Sequence, residues 1–171
     1  KQTPLIGYVA RYDLLKDHLN LLKALSLTKL KGKIFFCILV GTNINKNQIL
    51  LDQIKKLKIK NHIKLLGPIK NVSKIMNSLD IHIQSSKSEG FPNVIAEAMA
   101  HKTLCVATNV GDTSYIMGKN GWLVKPKSST SLARAIEIAI NEIGTKNWNK
   151  RRNLARKRIQ TKFSINKMIN S

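Results

Sequence analysis

Two glutamates eight positions apart, Glu89 and Glu97, bracket the run EGFPNVIAE. Gly90 and Pro92 lie between them and good helix formers follow. Pro92 suits the first position of a helix, because its missing N–H would have no partner there. The backbone N–H groups of Asn93, Val94 and Ile95 then point out of the helix start and favour an anion. Glu97 falls about one and a half turns in. A long side chain on that face leans back toward the N-terminus. Carboxylates accept hydrogen bonds from hydroxyls. A phosphate site with a carboxylate on either side fits a diphosphate flanked by hydroxyl-rich rings, as in a nucleotide sugar. Taken singly, Glu97 serves equally well as a complement to the helix dipole.

A second cluster, RYDLLK (11–16), supplies cations. Arg11 closes an apolar run, LIGYVA, and Lys16 stands just before the next helix. A planar guanidinium fork and a point-charge ammonium are complementary tools for a diphosphate. By position alone both also read as solvated surface charges.

These residues need elements to hold them. Segments that read as strands are LIGYVA (5–10), KIFFCILVG (33–41), HIKLLG (62–67), DIHIQSS (80–86), LCVATNVG (104–111) and GWLVKP (121–126), the first two as apolar runs. Helical spacing falls between them, over 17–30 with Asp17 as cap, 47–57 with Ile49, Leu50, Ile54 and Leu57 inward, 72–78, and 92–100. One turn is expected at 114–117, then a helix over 131–143 capped at Ser129 or Thr130, and a basic helix over 148–162. Alternating strands and helices predict an α/β, Rossmann-like, doubly wound parallel sheet. Ligands in such sheets bind outside the carboxyl ends of the strands. The loops that matter are therefore 11–16, 41–46, 67–71, 85–92 and 108–113.

The chain has 171 residues and is 43% hydrophobic, enough for one folded domain, taken as 1–171. No apolar run approaches the ~18 residues of a membrane span. The N-terminus lacks the apolar stretch and cleavage site of a secretory signal. Cys37 and Cys105 sit in apolar strands and read as buried free thiols of a reducing, cytoplasmic compartment. No Cys/His cluster has metal-ligand spacing, so no metal is expected. The net charge of +21 suits a polyanion partner. A composition rich in Lys, Asn and Ile together accounts for most of it without one. Aromatic residues are only 5% and no nucleic-acid motif is present, so no nucleic-acid partner is expected.

The order Arg11, Lys16, Glu89-Gly90-Phe91-Pro92-Asn93-Val94-Ile95-Ala96-Glu97 resembles the retaining glycosyltransferases of family four, which have the GT-B fold. Further runs share the likeness: 10–24, 39–44, 63–100, 105–126, and the ending AR-x-R-x-x-x-x-F-S at 155–164. The resemblance implies the C-terminal, donor-binding half of a GT-B fold. It implies that Arg11 and Lys16 bind the donor's diphosphate and stabilise the leaving group, and that Glu89 contacts the donor sugar. It implies that Glu97 binds ribose hydroxyls, that Gly90 to Val94 face sugar and phosphates, and that Gly67, Pro68 and Ile69 lie against the nucleobase. The loop at Gly41 belongs to the same site. The partner implied is a UDP- or GDP-sugar, with no metal or other cofactor. The acceptor implied is a polysaccharide or lipid-linked glycan.

Departures from the family pattern are Thr42 and Asn43 after Gly41, and Lys102 and Leu104 where many members have glycine and proline. Lys102 in a left-handed conformation would cost roughly 1 kcal/mol relative to glycine. The start at KQTP implies that the amino-terminal acceptor domain is missing from this chain. The basic helix carrying Lys150, Arg151, Arg152, Arg156, Lys157 and Arg158 suits peripheral contact with anionic lipid at the inner membrane face as well as it suits a solvated face. His18 is expected on a helix surface, and His62, His82 and His101 as structural or exposed. Trp122 and Trp148 are not expected to stack. Two other function classes stay open: a non-catalytic nucleotide-binding module, and a basic nucleic-acid binder.

Overall fold

The computed structural model describes residues 3–163. Lys1 and Gln2 of the linker-like start, Ser164 of the closing motif and the polar tail lie outside the described residues.

Six strands form one parallel sheet. They are β1 (Leu5–Val9), β2 (Phe36–Val40), β3 (Ile63–Leu66), β4 (Ile81–Gln84), β5 (Leu104–Thr108) and β6 (Trp122–Val124). Their order is β3-β2-β1-β4-β5-β6, the doubly wound arrangement, whose order reverses between β1 and β4. The register pairs Gly7 with both Ile38 and His82, and His82 with Cys105.

Helices cover both faces. α1 (His18–Leu30), α2 (Gln48–Lys56) and α6 (Ser129–Glu142) form one layer. α3 (Val72–Ser78), α4 (Asn93–Ala100), α5 (Thr113–Met117) and α7 (Lys146–Lys162) form the other. Burial on both faces explains why β2 and β5 read as nearly unbroken apolar runs. Cys37 and Cys105 are both free and buried, as expected, and burial pushes both thiols up.

Several local expectations shift. Asp17 precedes α1 but its side chain caps nothing; its backbone is left-handed, at φ 50°. Asp13 does the capping instead, accepting from the Leu15 N–H at 2.8 Å ahead of a 3-10 turn over Leu14–Lys16. Pro92 is the residue before α4 and not its first helical one. Ile49 lies outward, leaving Leu50 and Ile54 as the buried side of α2. Ser128 caps α6, so that helix starts two residues before its expected first residue. Thr145 caps α7. Lys102 is left-handed, at φ 61°, as its place in the family pattern suggested.

Two expectations fail because burial and packing are non-local. His18 is buried between the rings of Tyr8 and Tyr12, with centroids at 4.8 and 5.3 Å. Trp122 and Trp148 do stack, at 6.2 Å and 28°, with the Arg151 guanidinium 5.0 Å from the Trp122 ring centre. His62 and His101 take the structural roles expected, with Nδ1 atoms near the Phe35 carbonyl and the Asn77 side chain.

The basic helix α7 spends part of its charge internally. Arg152 donates to the Lys102 carbonyl at 2.7 Å, at the end of α4. Arg158 donates to the carbonyls of Tyr115 and Ile116 in α5, and Arg151 pairs with Glu142. Cations at helix C-termini satisfy orphan carbonyls and oppose the dipole. Lys150, Arg156 and Lys157 remain exposed.

Candidate active site

A cavity of about 390 Å³ opens where β1 and β4 part at their carboxyl ends. Arg11, Lys16, Glu89, Phe91, Pro92, Asn93 and Val94 all line it. Strand order is what joins them, since residues 73 positions apart in sequence meet across one strand pair.

Lys16 donates to both carboxylate oxygens of Glu89, at 2.7 and 2.8 Å. Ser86 Oγ donates to Glu89 Oε1 at 2.6 Å. The Glu89 side chain is 12% exposed and that of Lys16 26%. Local structure holds both. The Tyr8 phenol donates to the Lys16 carbonyl, and Ser85 Oγ donates to the carbonyls of Lys16 and Asp17, each at 3.0 Å. The Lys87 N–H donates to the Leu15 carbonyl at 2.7 Å, tying loop to loop. Thr108 Oγ1 donates to the Ser86 carbonyl at 2.7 Å. Burial pushes the Tyr8 phenol up, so it stays protonated as a donor.

Arg11 behaves differently. Its side chain is 71% exposed and touches Asp13 at 3.4 Å. The Leu15 N–H, with Arg11 beside it, holds the Asp13 carboxyl below the usual range. Arg11 therefore stands at the rim as a guanidinium fork open to a ligand.

The remaining expected residues do not line this cavity. Gly41 positions the Arg11 loop from behind: its φ is 152°, and a Cβ there would stand 2.2 Å from the Ala10 carbonyl oxygen. Thr42 accepts from the Tyr12 N–H at 2.9 Å, extending the β1–β2 pairing into the loops. Gly67, Pro68 and Ile69 follow β3, two strands away from β1. Gly90 is exposed, and its carbonyl accepts from the Asp112 N–H at 2.9 Å. Glu97 is exposed on α4, outside the cavity lining.

Three participants were not assigned from sequence. Gly111, at φ 50°, lies so close to the turn that a Cβ would meet the Glu89 and Gly90 carbonyl oxygens at 2.2 and 2.3 Å. His82 and Gln84 form part of the cavity wall from inside β4. Their signal was present: a strand buried on both faces that reads Ile-His-Ile-Gln carries polar groups where apolar ones belong.

The arrangement can hold an anion. α4 starts at the cavity edge with Asn93 and Val94. The N–H groups of Asn93 and Ile95, expected to point outward, instead donate to the Phe91 and Pro92 carbonyls at 3.0 Å each, so of the three expected donors the Val94 N–H is left for a ligand. A guanidinium and an ammonium face the same opening.

Residues 1–160 match the family model described as "Glycosyl transferases group 1". The chain belongs to that family. The glycosyltransferase from Rickettsia africae ESF-5 is similar in fold, with a TM-score of 0.91 and 31% identity, covering 99% of this chain and 46% of that one. Anabaena Alr3699/HepE, solved in complex with UDP, superposes with a TM-score of 0.79 at 26% identity over 91% of this chain and 44% of its own. The same protein was also solved in complex with UDP-glucose. The capsular polysaccharide biosynthesis glycosyltransferase CapM of Staphylococcus aureus is 25% identical over 161 residues, 93% of this chain and 42% of CapM. This group 1 glycosyltransferase chain spans between 20% and 42% of the length of the curated relatives it matches. With its doubly wound sheet it corresponds in fold to part of GT-B enzymes.

Proposed function

We propose that this chain is the donor-binding domain of a retaining glycosyltransferase, binding a nucleotide diphosphate sugar and transferring its sugar to a polysaccharide or lipid-linked glycan. The observation that carries the reading is the meeting of Arg11, Lys16, Glu89 and the α4 N-terminus around one cavity at the β1/β4 switch point. The UDP and UDP-glucose complexes of the similar HepE protein support a uridine diphosphate donor.

In this reading the diphosphate sits at the α4 N-terminus. Arg11 moves in from the rim as a bidentate clamp. Lys16 exchanges Glu89 for a phosphate oxygen, and Glu89 is freed to face the sugar. Charge building on the departing diphosphate is then met by fixed donors, with no metal needed. Glu97 and the loop at Gly67, Pro68 and Ile69 belong to the nucleoside end. The acceptor is held by a companion domain facing this edge of the sheet. Among the described residues no helix is long and apolar enough to cross a membrane. Lys146, Lys150, Arg156, Lys157 and Lys162 are the exposed cations of α7 left for an anionic surface.

Isothermal titration of UDP, GDP and ADP into the chain, repeated on Arg11→Ala, tests this. Losing a charged hydrogen-bonding partner should weaken the preferred nucleotide by about 10- to 100-fold. Melting should not move, because the guanidinium is exposed. Equal binding by wild type and variant would remove Arg11 from the site. No binding of any of the three would refute the donor reading for this chain. Retention is decided by NMR of the anomeric configuration of a transferred sugar.

A further inference from the structure

Inside β4 two polar side chains face the α4 layer. The register puts His82 beside Gly7 and Cys105, and Cys105 Sγ lies 4.0 Å from the Ile95 carbonyl of α4. Gln84, two residues on, shares that face and is the last residue of β4, at the sheet's carboxyl edge. His82 is 0% and Gln84 3% exposed, and both line the cavity. Neither ring nitrogen of His82 and neither amide atom of Gln84 has a hydrogen-bond partner in the protein. Buried amides and imidazoles without partners are rare in folded proteins, because each gives up its hydration for nothing.

The two ends of the cavity differ in chemistry. The rim carries Arg11 and Lys16, and the α4 start lies beside them. The floor carries groups that both donate and accept. Burial pushes the His82 imidazole down to about 3, so it is neutral and offers one donor and one acceptor. Ser86, the serine of this strand end that lines the cavity, is already committed to Glu89. A neutral floor beneath a cationic rim sorts a ligand by end: phosphate above, uncharged hydroxyls below.

We propose that Gln84 is a specificity-determining residue that hydrogen-bonds an uncharged hydroxyl of the donor's sugar ring at the floor of the cavity. The inference rests on the donor-site reading above and assigns the sugar end of that site. It takes an uncharged, hydroxylated sugar in preference to one bearing a carboxylate.

The test is a titration of UDP, UDP-glucose, UDP-galactose, UDP-N-acetylglucosamine and UDP-glucuronic acid into wild type and Gln84→Met. The variant keeps the length of the side chain and removes both polar atoms. UDP affinity should hold within about twofold, while the neutral sugar nucleotide bound best by wild type weakens about tenfold. The melting temperature of the free variant should stay level or rise, because an unpaired buried amide has been replaced by an apolar chain. Wild type should bind UDP-glucuronic acid more weakly than its best neutral sugar nucleotide. Equal losses for UDP and its sugar forms, no loss at all, or a clear fall in melting temperature would each overturn the proposal. So would a preference of wild type for UDP-glucuronic acid. Wild type that binds UDP but gains or loses nothing from any sugar also overturns it, leaving the nucleotide site intact. Wild type that binds none of the five overturns the donor-site reading, and this inference with it.

Discussion

Replacing Gly111 by alanine should damage this protein more than replacing any glycine of similar backbone conformation elsewhere in the chain. Gly111 has φ 50° and follows β5 in the loop that backs the Glu89–Gly90 turn. A methyl there would stand 2.2 Å from one carbonyl oxygen and 2.3 Å from the next, distances that real Cβ atoms do not adopt. Both obstacles are backbone, and the adjacent Asp112 N–H is bonded to the same Gly90 carbonyl at 2.9 Å. The left-handed backbone alone costs about 1 kcal/mol for alanine. Relieving the overlap adds roughly 1–3 kcal/mol, typical of overpacking. At ~2–4 °C per kcal/mol for a chain of this size, melting should fall by about 4–16 °C. Gly144 is the control: φ is 82° and a Cβ meets nothing within 4 Å. Gly144→Ala should lose only the backbone contribution of about 1 kcal/mol. The assay is thermal unfolding of both variants with a parallel UDP titration. The Gly111 variant should also bind UDP less well, because the turn moves only by carrying Glu89 away from Lys16. Equal melting of the two variants would show that the 109–112 loop yields freely, and would refute its role in bracing the turn.

Lys102→Gly should raise melting by about 2–4 °C, since a left-handed lysine is replaced by the residue that suits φ 61° at ~1 kcal/mol less strain. Cys37 and Cys105 should resist thiol reagents in the native protein and react fully in denaturant, because burial raises both and hides them; ready native labelling would contradict the sheet assignment of either strand. Stability should fall as pH drops below about 6.5. His82 and His18 are held down by burial to about 3 and about 4, so the unfolded chain binds more protons through that window. Each histidine contributes about 1.4 kcal/mol per pH unit there, so His82→Phe should remove about half of the slope between pH 6.5 and 4.5 in urea titrations. A slope unchanged in that variant would mean that His82 is accessible to protons in the folded state.

The local pattern alone carried the alternation of six strands and their helices. Apart from β1 and β4, the strands are short and largely apolar runs that lead into glycine or proline, and such punctuation marks their ends. It also carried the turn at Glu89 with a helix behind it, the cations Arg11 and Lys16 just past a strand end, and the buried thiols. Those features are short-range: a glycine, a proline, a cap or a period says what its neighbours do. Boundaries drifted by a residue or two where several hydroxyls compete to cap, as at Ser128, or where a proline fits both the cap and the first turn, as at Pro92.

Only the tertiary structure decided which loops share an edge. The order β3-β2-β1-β4-β5-β6 brings Lys16 to Glu89 and sets Gly67, Pro68 and Ile69 two strands aside. It buries His18 between two tyrosines, stacks Trp122 on Trp148, and turns three arginines of α7 inward onto carbonyls. It also makes Gly111 a brace for Glu89, and leaves His82 and Gln84 without partners at the cavity floor. The reason is the same in each case. A residue's own neighbours set its backbone, but pairing between distant strands sets what its side chain meets, and that pairing is a property of the whole sheet.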